Sequence, residues 1–194
     1  IMETQTDRRL RFFTSHGNCL IIGVDELPEA RLTAKATNLN SLVQLEKDEE
    51  IVACFDEVKD DTLVFFTALG NAKRTEGKEF DLRTKKTAAI ALKDDDRVIA
   101  VEKQDETAGT VIMVSKGGMS IRFATDTVPV MGKGAGGVKC MKLDEGDRVI
   151  FAAQIADEGE ILTISDRGYA KRSLVFDYEI QGRNGKGLKT FDFK

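Results

Sequence analysis

Two doublets, Lys73-Arg74 and Lys171-Arg172, and one loop, Gln181-Gly-Arg-Asn-Gly-Lys-Gly187, are the residues of this 194-residue chain whose types and spacing best suit chemistry. That chemistry is phosphate binding. Lysine and arginine neutralise phosphates and release condensed counterions, a gain that does not depend on base sequence. Glycines let a backbone approach a phosphate closely and aim N–H groups at it. The loop Met131-Gly-Lys-Gly-Ala-Gly-Gly137 shares this character. Neither loop has the GxxxxGK[ST] spacing of a nucleotide P-loop. No aromatic residue interleaves the basic clusters, which argues against stacking of single strands. A single histidine excludes His-rich metal sites and paired-His relays. Cys19, Cys54 and Cys140 are too scattered for a metal or disulfide framework, and read as reduced, buried thiols of an intracellular protein. Tyr169 and Tyr178 lack the setting of an activated nucleophile. The acidic turn Asp94-Asp-Asp96 recurs at one repeat position and reads as structure, not as a Mg²⁺ site. Catalytic and metal-binding residues are therefore expected to be none.

The elements that position these residues are repeats. Leu10-Arg-Phe-Phe-Thr-Ser-His-Gly17, Leu63-Val-Phe-Phe-Thr-Ala-Leu-Gly70, Val111-Ile-Met-Val-Ser-Lys-Gly-Gly118 and Ile161-Leu-Thr-Ile-Ser-Asp-Arg-Gly168 follow one template, with glycines 53, 48 and 50 residues apart. A second landmark, an acidic turn leading into a Val/Ile strand, starts at Leu45, Leu92 and Leu143. Its fourth copy is due at Phe193, so the fourth repeat is expected to be cut short and the full protein to continue. The repeats span approximately 8–60, 61–108, 109–158 and 159–194, one domain over 1–194.

Each repeat reads as four short strands: one before the glycine, one after it (72–75, 120–123, 170–174), one before the acidic turn (88–92, 138–143) and one after it (97–102, 148–154). The fold class is all-β, a propeller-like array of four-stranded blades. A blade alone cannot hide both faces of its sheet; stacked against neighbours it can. Gly17, Gly70, Gly118 and Gly168 are predicted to supply positive φ at hairpin turns. Helix content is low, with a helical turn expected only within 24–36.

The chain carries 29 Lys+Arg and 33 Asp+Glu, a net −4. The charges are segregated: residues 45–61 sum to −6, 71–93 to +4 and 167–189 to +4. Bases recur at equivalent places. Lys73-Arg74 and Lys171-Arg172 follow the turn glycine, Arg122 keeps half of the doublet, and Leu20-Ile21 replaces it in the first repeat. A later cluster holds Arg83, Lys85 and Lys86, then Lys133 and Lys139, then Arg183, Lys186 and Lys189. Equivalent positions of stacked blades would line these bases along a curved rim, a track that holds the DNA backbone and bends it. No run of 18 apolar residues exists, so nothing reads as a membrane span.

The repeats resemble the C-terminal domain of bacterial type IIA topoisomerase A subunits, those of gyrase and topoisomerase IV. Residues 181–187 resemble the gyrase-A box, Gln-Arg-Arg-Gly-Gly-Lys-Gly: Gln181, Arg183, Gly185, Lys186 and Gly187 match, whereas Gly182 and Asn184 depart. Members with the box usually carry it in the first blade, not in the last visible repeat as here. The resemblance implies a β-pinwheel, whose blades exchange a strand. It implies a disc that binds duplex DNA on its rim and presents it to the N-terminal cleavage core of the same polypeptide. Lys73, Arg74, Arg122, Lys171 and Arg172 would be rim contacts, with Arg183 and Lys186 in the box. The resemblance also implies an A2B2 holoenzyme with an ATPase B subunit, cytoplasmic and nucleoid-associated. ATP, Mg²⁺ and the cleaving tyrosine act outside this chain, which itself needs no cofactor.

Two other readings of the residues stay open. A protein-interaction propeller would leave the rim charges incidental and predicts an exposed apolar patch. A repeat-built enzyme lacks a convergent constellation.

Overall fold

The computed structural model describes residues 2–93 and 95–192. Among these, fourteen strands form three four-stranded antiparallel sheets and one two-stranded sheet. The first blade joins β3 (Ile51–Phe55), β1 (Arg9–Thr14), β2 (Asn18–Gly23) and β6 (Lys86–Ala88), in that order. The second joins β7 (Val98–Lys103), β4 (Thr62–Thr67), β5 (Asn71–Glu76) and β10 (Val138–Lys139). The third joins β11 (Val149–Ile155), β8 (Thr110–Ser115), β9 (Met119–Ala124) and β14 (Leu188–Lys189). The fourth holds β12 (Glu160–Ile164) and β13 (Ala170–Leu174).

Each of the first three blades takes its fourth strand from the next repeat. The strands expected at 88–92 and 138–143 within their own blades instead run as β6 and β10 on the preceding one. The turn glycine directs this. The Gly17 carbonyl accepts the amides of Ala89 and Ile90, that of Gly70 accepts Cys140 and Met141, and that of Gly118 accepts Thr190 and Phe191. Gly17, Gly70, Gly118 and Gly168 have φ of 78°, 80°, 79° and 81°, as predicted from sequence. At Gly70 a Cβ would lie 2.6 Å from the Met141 carbonyl oxygen, so the position needs glycine for both conformation and contact.

The sheets stack through both faces. On β4, Leu63 and Phe65 pack with Phe13, Phe80 and Ile90 between the first and second blades. Val64 and Phe66 point the other way, to Val111, Met113 and Phe123 of the third. Strand alternation splits one apolar run between two cores. Phe13, Phe65 and Phe80 meet ring to ring at 5.1–6.0 Å, partly edge-on. β7 touches both β3 and β11, so these strands line the inner side, which leaves β6, β10 and β14 as the outer rim.

Among the described residues, helical structure is confined to 3-10 turns. One falls at Val24–Glu26, inside the expected window, and a second at Leu39–Ser41. Turns at Gly77–Phe80, Thr125–Thr127 and Val175–Asp177 show that the feature belongs to every repeat. Periodicity cannot reveal elements this short. The fourth acidic turn, at Phe193, lies outside the described residues, as does Asp94.

Candidate nucleic-acid interface

The rim strands bring exposed lysines into register. Lys139 pairs with Asn71 and Lys189 with Met119, equivalent positions of successive blades. Lys86 pairs with Leu20, two residues along and on the same face of its strand. All three are exposed. Their ammonium groups reach only nearby acceptors: Glu46 at 3.4 Å from Lys86, the Leu69 carbonyl at 2.8 Å from Lys139, and Asp192 at 2.8 Å from Lys189. Exposed pairs of this kind are weak and exchange readily with a competing phosphate. Beside them, Lys85 pairs with Glu26 at 2.6 Å, while the exposed Arg83 makes no side-chain hydrogen bond or ion pair among the described residues.

The two glycine-rich loops flank this strip. In each, a segment first runs parallel to the second strand of the preceding blade, through the bridges Arg74↔Val130 and Arg122↔Ile180. It then turns and returns as β10 or β14. Gly137 and Gly187 have φ of 83° and 78°, and a Cβ there would meet the Ala72 and Ser120 carbonyl oxygens at 2.6 and 2.0 Å. Gly187 is thus a packing glycine. Gly185 is bridged to Met141, and its carbonyl accepts the Lys142 amide. The amides of Gln181 and Asn184 donate to the Arg122 and Cys140 carbonyls, so part of the expected phosphate cradle is spent on blade packing. Asn184 holds φ of 66°, where the box pattern has glycine. Arg183 donates to the Lys139 carbonyl at 3.3 Å, and Lys186 pairs with the exposed Asp144 at 2.5 Å. The box side chains thereby adjoin β10, while the loop leads into β14. Lys133, half-buried, lies in the preceding loop.

The doublets correct the sequence reading. Lys73 is fully buried, with its ammonium donating to the Gly132 and Lys133 carbonyls at 3.0 Å and lying 5.3 Å from the Phe65 ring centre. Burial pushes its pKa down to about 8. Arg122 is 5 % exposed; it donates to Thr110 Oγ1, to the Val175 and Tyr178 carbonyls, and to Asp157. Arg74, half-buried, donates to the Val128 carbonyl at 2.6 Å, to Gln104 Oε1 and to the Asp126 carbonyl. A second strand covered by the next repeat turns the arginines onto that repeat's 3-10 turn and Lys73 onto its glycine-rich loop. Lys73 and Arg122 are therefore latches between repeats, not surface contacts. On β13, whose sheet has two strands here and is not covered by a following repeat, the same positions are exposed: Lys171 makes no side-chain contact of this kind among the described residues, and Arg172 pairs with Glu160 at 3.1 Å.

Arg11 escaped the sequence reading. It is buried and donates to the Phe80 carbonyl and to Asp81, the part played elsewhere by the doublet arginine. The gap at Leu20-Ile21 was its signal, because Arg11 faces Ile21 across the hairpin.

The acidic turns hold the hairpins. Glu49 accepts from Thr14 and Asn18, Asp96 from the Leu69 amide and Asn71, and Asp147 from Ser115 and the Gly117 amide. Tyr178 is buried with its hydroxyl on Thr190, and Tyr169 is exposed. Among the described residues, no helix is long and apolar enough to cross a membrane.

The family model described as "DNA gyrase C-terminal domain, beta-propeller" matches residues 12–55, 61–105, 109–156 and 159–194. The chain belongs to this family. The DNA gyrase A protein of Escherichia coli K12 is 35% identical over 97% of this chain and 22% of its own length. The gyrase A protein of Haloquadratum walsbyi is 34% identical over 97% and 23%. The chain thus spans under a quarter of these relatives. The crystal structure of the C-terminal domain of DNA topoisomerase IV superposes with a TM-score of 0.91 at 28% identity, covering 97% of this chain and 60% of that one. The structure of a DNA gyrase A C-terminal domain gives 0.73 at 27%, covering 95% and 60%. In this member of the family, strand exchange between blades places the lysines of β6, β10 and β14 on a common rim.

Proposed function

We propose that this domain binds duplex DNA on its outer rim, bends or wraps it, and presents it to the cleavage core of a type IIA topoisomerase A subunit. The observation that carries the reading is the exposed lysine on the imported outer strand of three successive blades, Lys86, Lys139 and Lys189. Arg83, Lys85, Lys133 and the box residues Arg183 and Lys186 extend the track, with Arg74 at its edge. Family membership supports the same reading. The chain supplies no catalytic residue to it. DNA cleavage, ATP and Mg²⁺ belong to the rest of an A2B2 assembly that includes an ATPase B subunit. That assembly acts on the bacterial nucleoid in the cytoplasm.

The test is a titration against a 40-base-pair duplex, end-labelled for energy transfer, at several salt concentrations. Binding should weaken linearly in log salt, and energy transfer should rise as the ends approach. Each lost phosphate contact lowers the slope by about 0.9, so Lys86/Lys139/Lys189→Ala should lower it by about 3. An unchanged slope and unchanged transfer in that variant would remove the rim from the interface.

A further inference from the structure

The acidic net charge of the chain comes from one face of the disc. Three linkers join inner strands to the following blades, at 56–61, 104–109 and 156–160. The 3-10 turn segments 76–81, 125–129 and 175–179 lie beside them, and 24–29 takes the equivalent place in the first blade, with Val24 N–H donating to the Arg8 carbonyl. Gly77 N–H donates to the Asp61 carbonyl, Thr125 to Gly109 and Val175 to Gly159. These seven segments hold eighteen Asp+Glu against two lysines, a net −16 in a molecule of −4. Seven bases reach them from elsewhere by ion pairs or hydrogen bonds, including Arg11, Lys103 and Arg122. Counting those still leaves −9, so the rest of the molecule is net +5.

We infer that this linker face is an electrostatic fence that repels phosphate and confines a bound duplex to the rim, a reading that rests on the DNA-binding role proposed above. A six-residue rim-side strand such as β5 spans roughly 20 Å between the two faces. Screening acts over about 8–10 Å at moderate salt, so a duplex sliding off the middle of the rim enters the field of the acidic loops. Flexible surface lysines alone would let DNA settle on any basic surface. The fence turns a basic strip into a path with one forbidden side. The opposite face, with its hairpin and acidic turns, carries lysines and arginines among its acids, such as Lys116, Arg97 and Arg148. The duplex is therefore biased toward that side.

Four exposed acids of the linker face, Glu106, Asp126, Glu158 and Asp177, make no side-chain hydrogen bond or ion pair among the described residues. The test compares three proteins on the labelled 40-base-pair duplex: the parent, Glu106→Gln/Asp126→Asn/Glu158→Gln/Asp177→Asn, and an equal-charge control on the opposite face, Glu50→Gln/Asp95→Asn/Glu145→Gln/Asp166→Asn. The linker-face variant should bind about ten-fold tighter at low salt and lose energy transfer, because the duplex is no longer held to one curved path. The control should keep the parent's transfer and gain less affinity. Equal behaviour of the two variants would show that net charge alone acts and would overturn the inference. So would tighter binding of the linker-face variant with the bend unchanged. A parent that does not bind the duplex would overturn the DNA-binding reading and the fence together; a parent that binds while the variants match it overturns the fence alone.

Discussion

Arg11 stands directly opposite Ile21 in the β1–β2 ladder, and its guanidinium fills the place that Arg74 and Arg122 fill from the second strand. Nε of Arg11 donates to the Phe80 carbonyl, as Nε of Arg74 does to Val128 and Nη1 of Arg122 does to Tyr178. Phe80, Val128 and Tyr178 end equivalent 3-10 turns, so one contact recurs at three blade junctions from two different strands. Directly opposed residues of a sheet point to the same face, which is why the arginine can change strands and keep its target.

A swap tests this equivalence. Arg11→Ile should lower unfolding free energy by about 2 kcal/mol, because a buried carbonyl loses its donor. Adding Ile21→Arg should recover at least about half of that, a favourable coupling read from urea unfolding of the four proteins of the cycle. Additive losses would show that the contact depends on β1.

Gly70 and Gly168 share a backbone conformation but not surroundings. Gly168→Ala meets no atom within 4 Å and should lose only the left-handed penalty of about 1–2 kcal/mol. Gly70→Ala adds a clash with the Met141 carbonyl and displaces β10, so it should lose more, about 3–4 kcal/mol. Denaturant midpoints decide whether the order holds.

Lys73 makes stability depend on pH. Its folded pKa is lowered to about 8 from an ordinary 10.5, so between these values the unfolded chain binds more protons. Stability held back below pH 8 is therefore regained as pH rises toward 10.5. The parent should gain stability over that window relative to Lys73→Met, as followed by urea unfolding at stepped pH. Parallel curves would place the ammonium in water.

The three thiols should be inert in the native state. Burial raises Cys19 to about 12 and Cys54 and Cys140 to about 11, which removes the thiolate at neutral pH. Alkylation at pH 8 should be slow and should reach the unfolded rate only in denaturant. Fast reaction of one thiol in native protein would show that its blade opens locally.

Much of the fold was legible because its cause is local. Turn glycines, β-branched runs and acidic turns mark their elements through dihedral preference and strand alternation, and these act within a few residues. That is why the repeat, the all-β class and the positive φ of Gly17, Gly70, Gly118 and Gly168 could be read directly. The partner of each strand could not. Residues 86–88 and 138–139 carry no mark of the blade they complete, since a backbone pairs with whichever edge its neighbours present.

The site divides in the same way. The sequence by itself determined that bases recur at fixed repeat positions, because recurrence is a property of the chain. Only the tertiary structure decided which of them face water. Lys73 and Arg122 lie under the next repeat and are held by its carbonyls, whereas Lys86, Lys139 and Lys189 sit on strands handed to the neighbouring blade's outer edge. Exposure depends on what packs across a junction, and that packing is set by residues some fifty positions away.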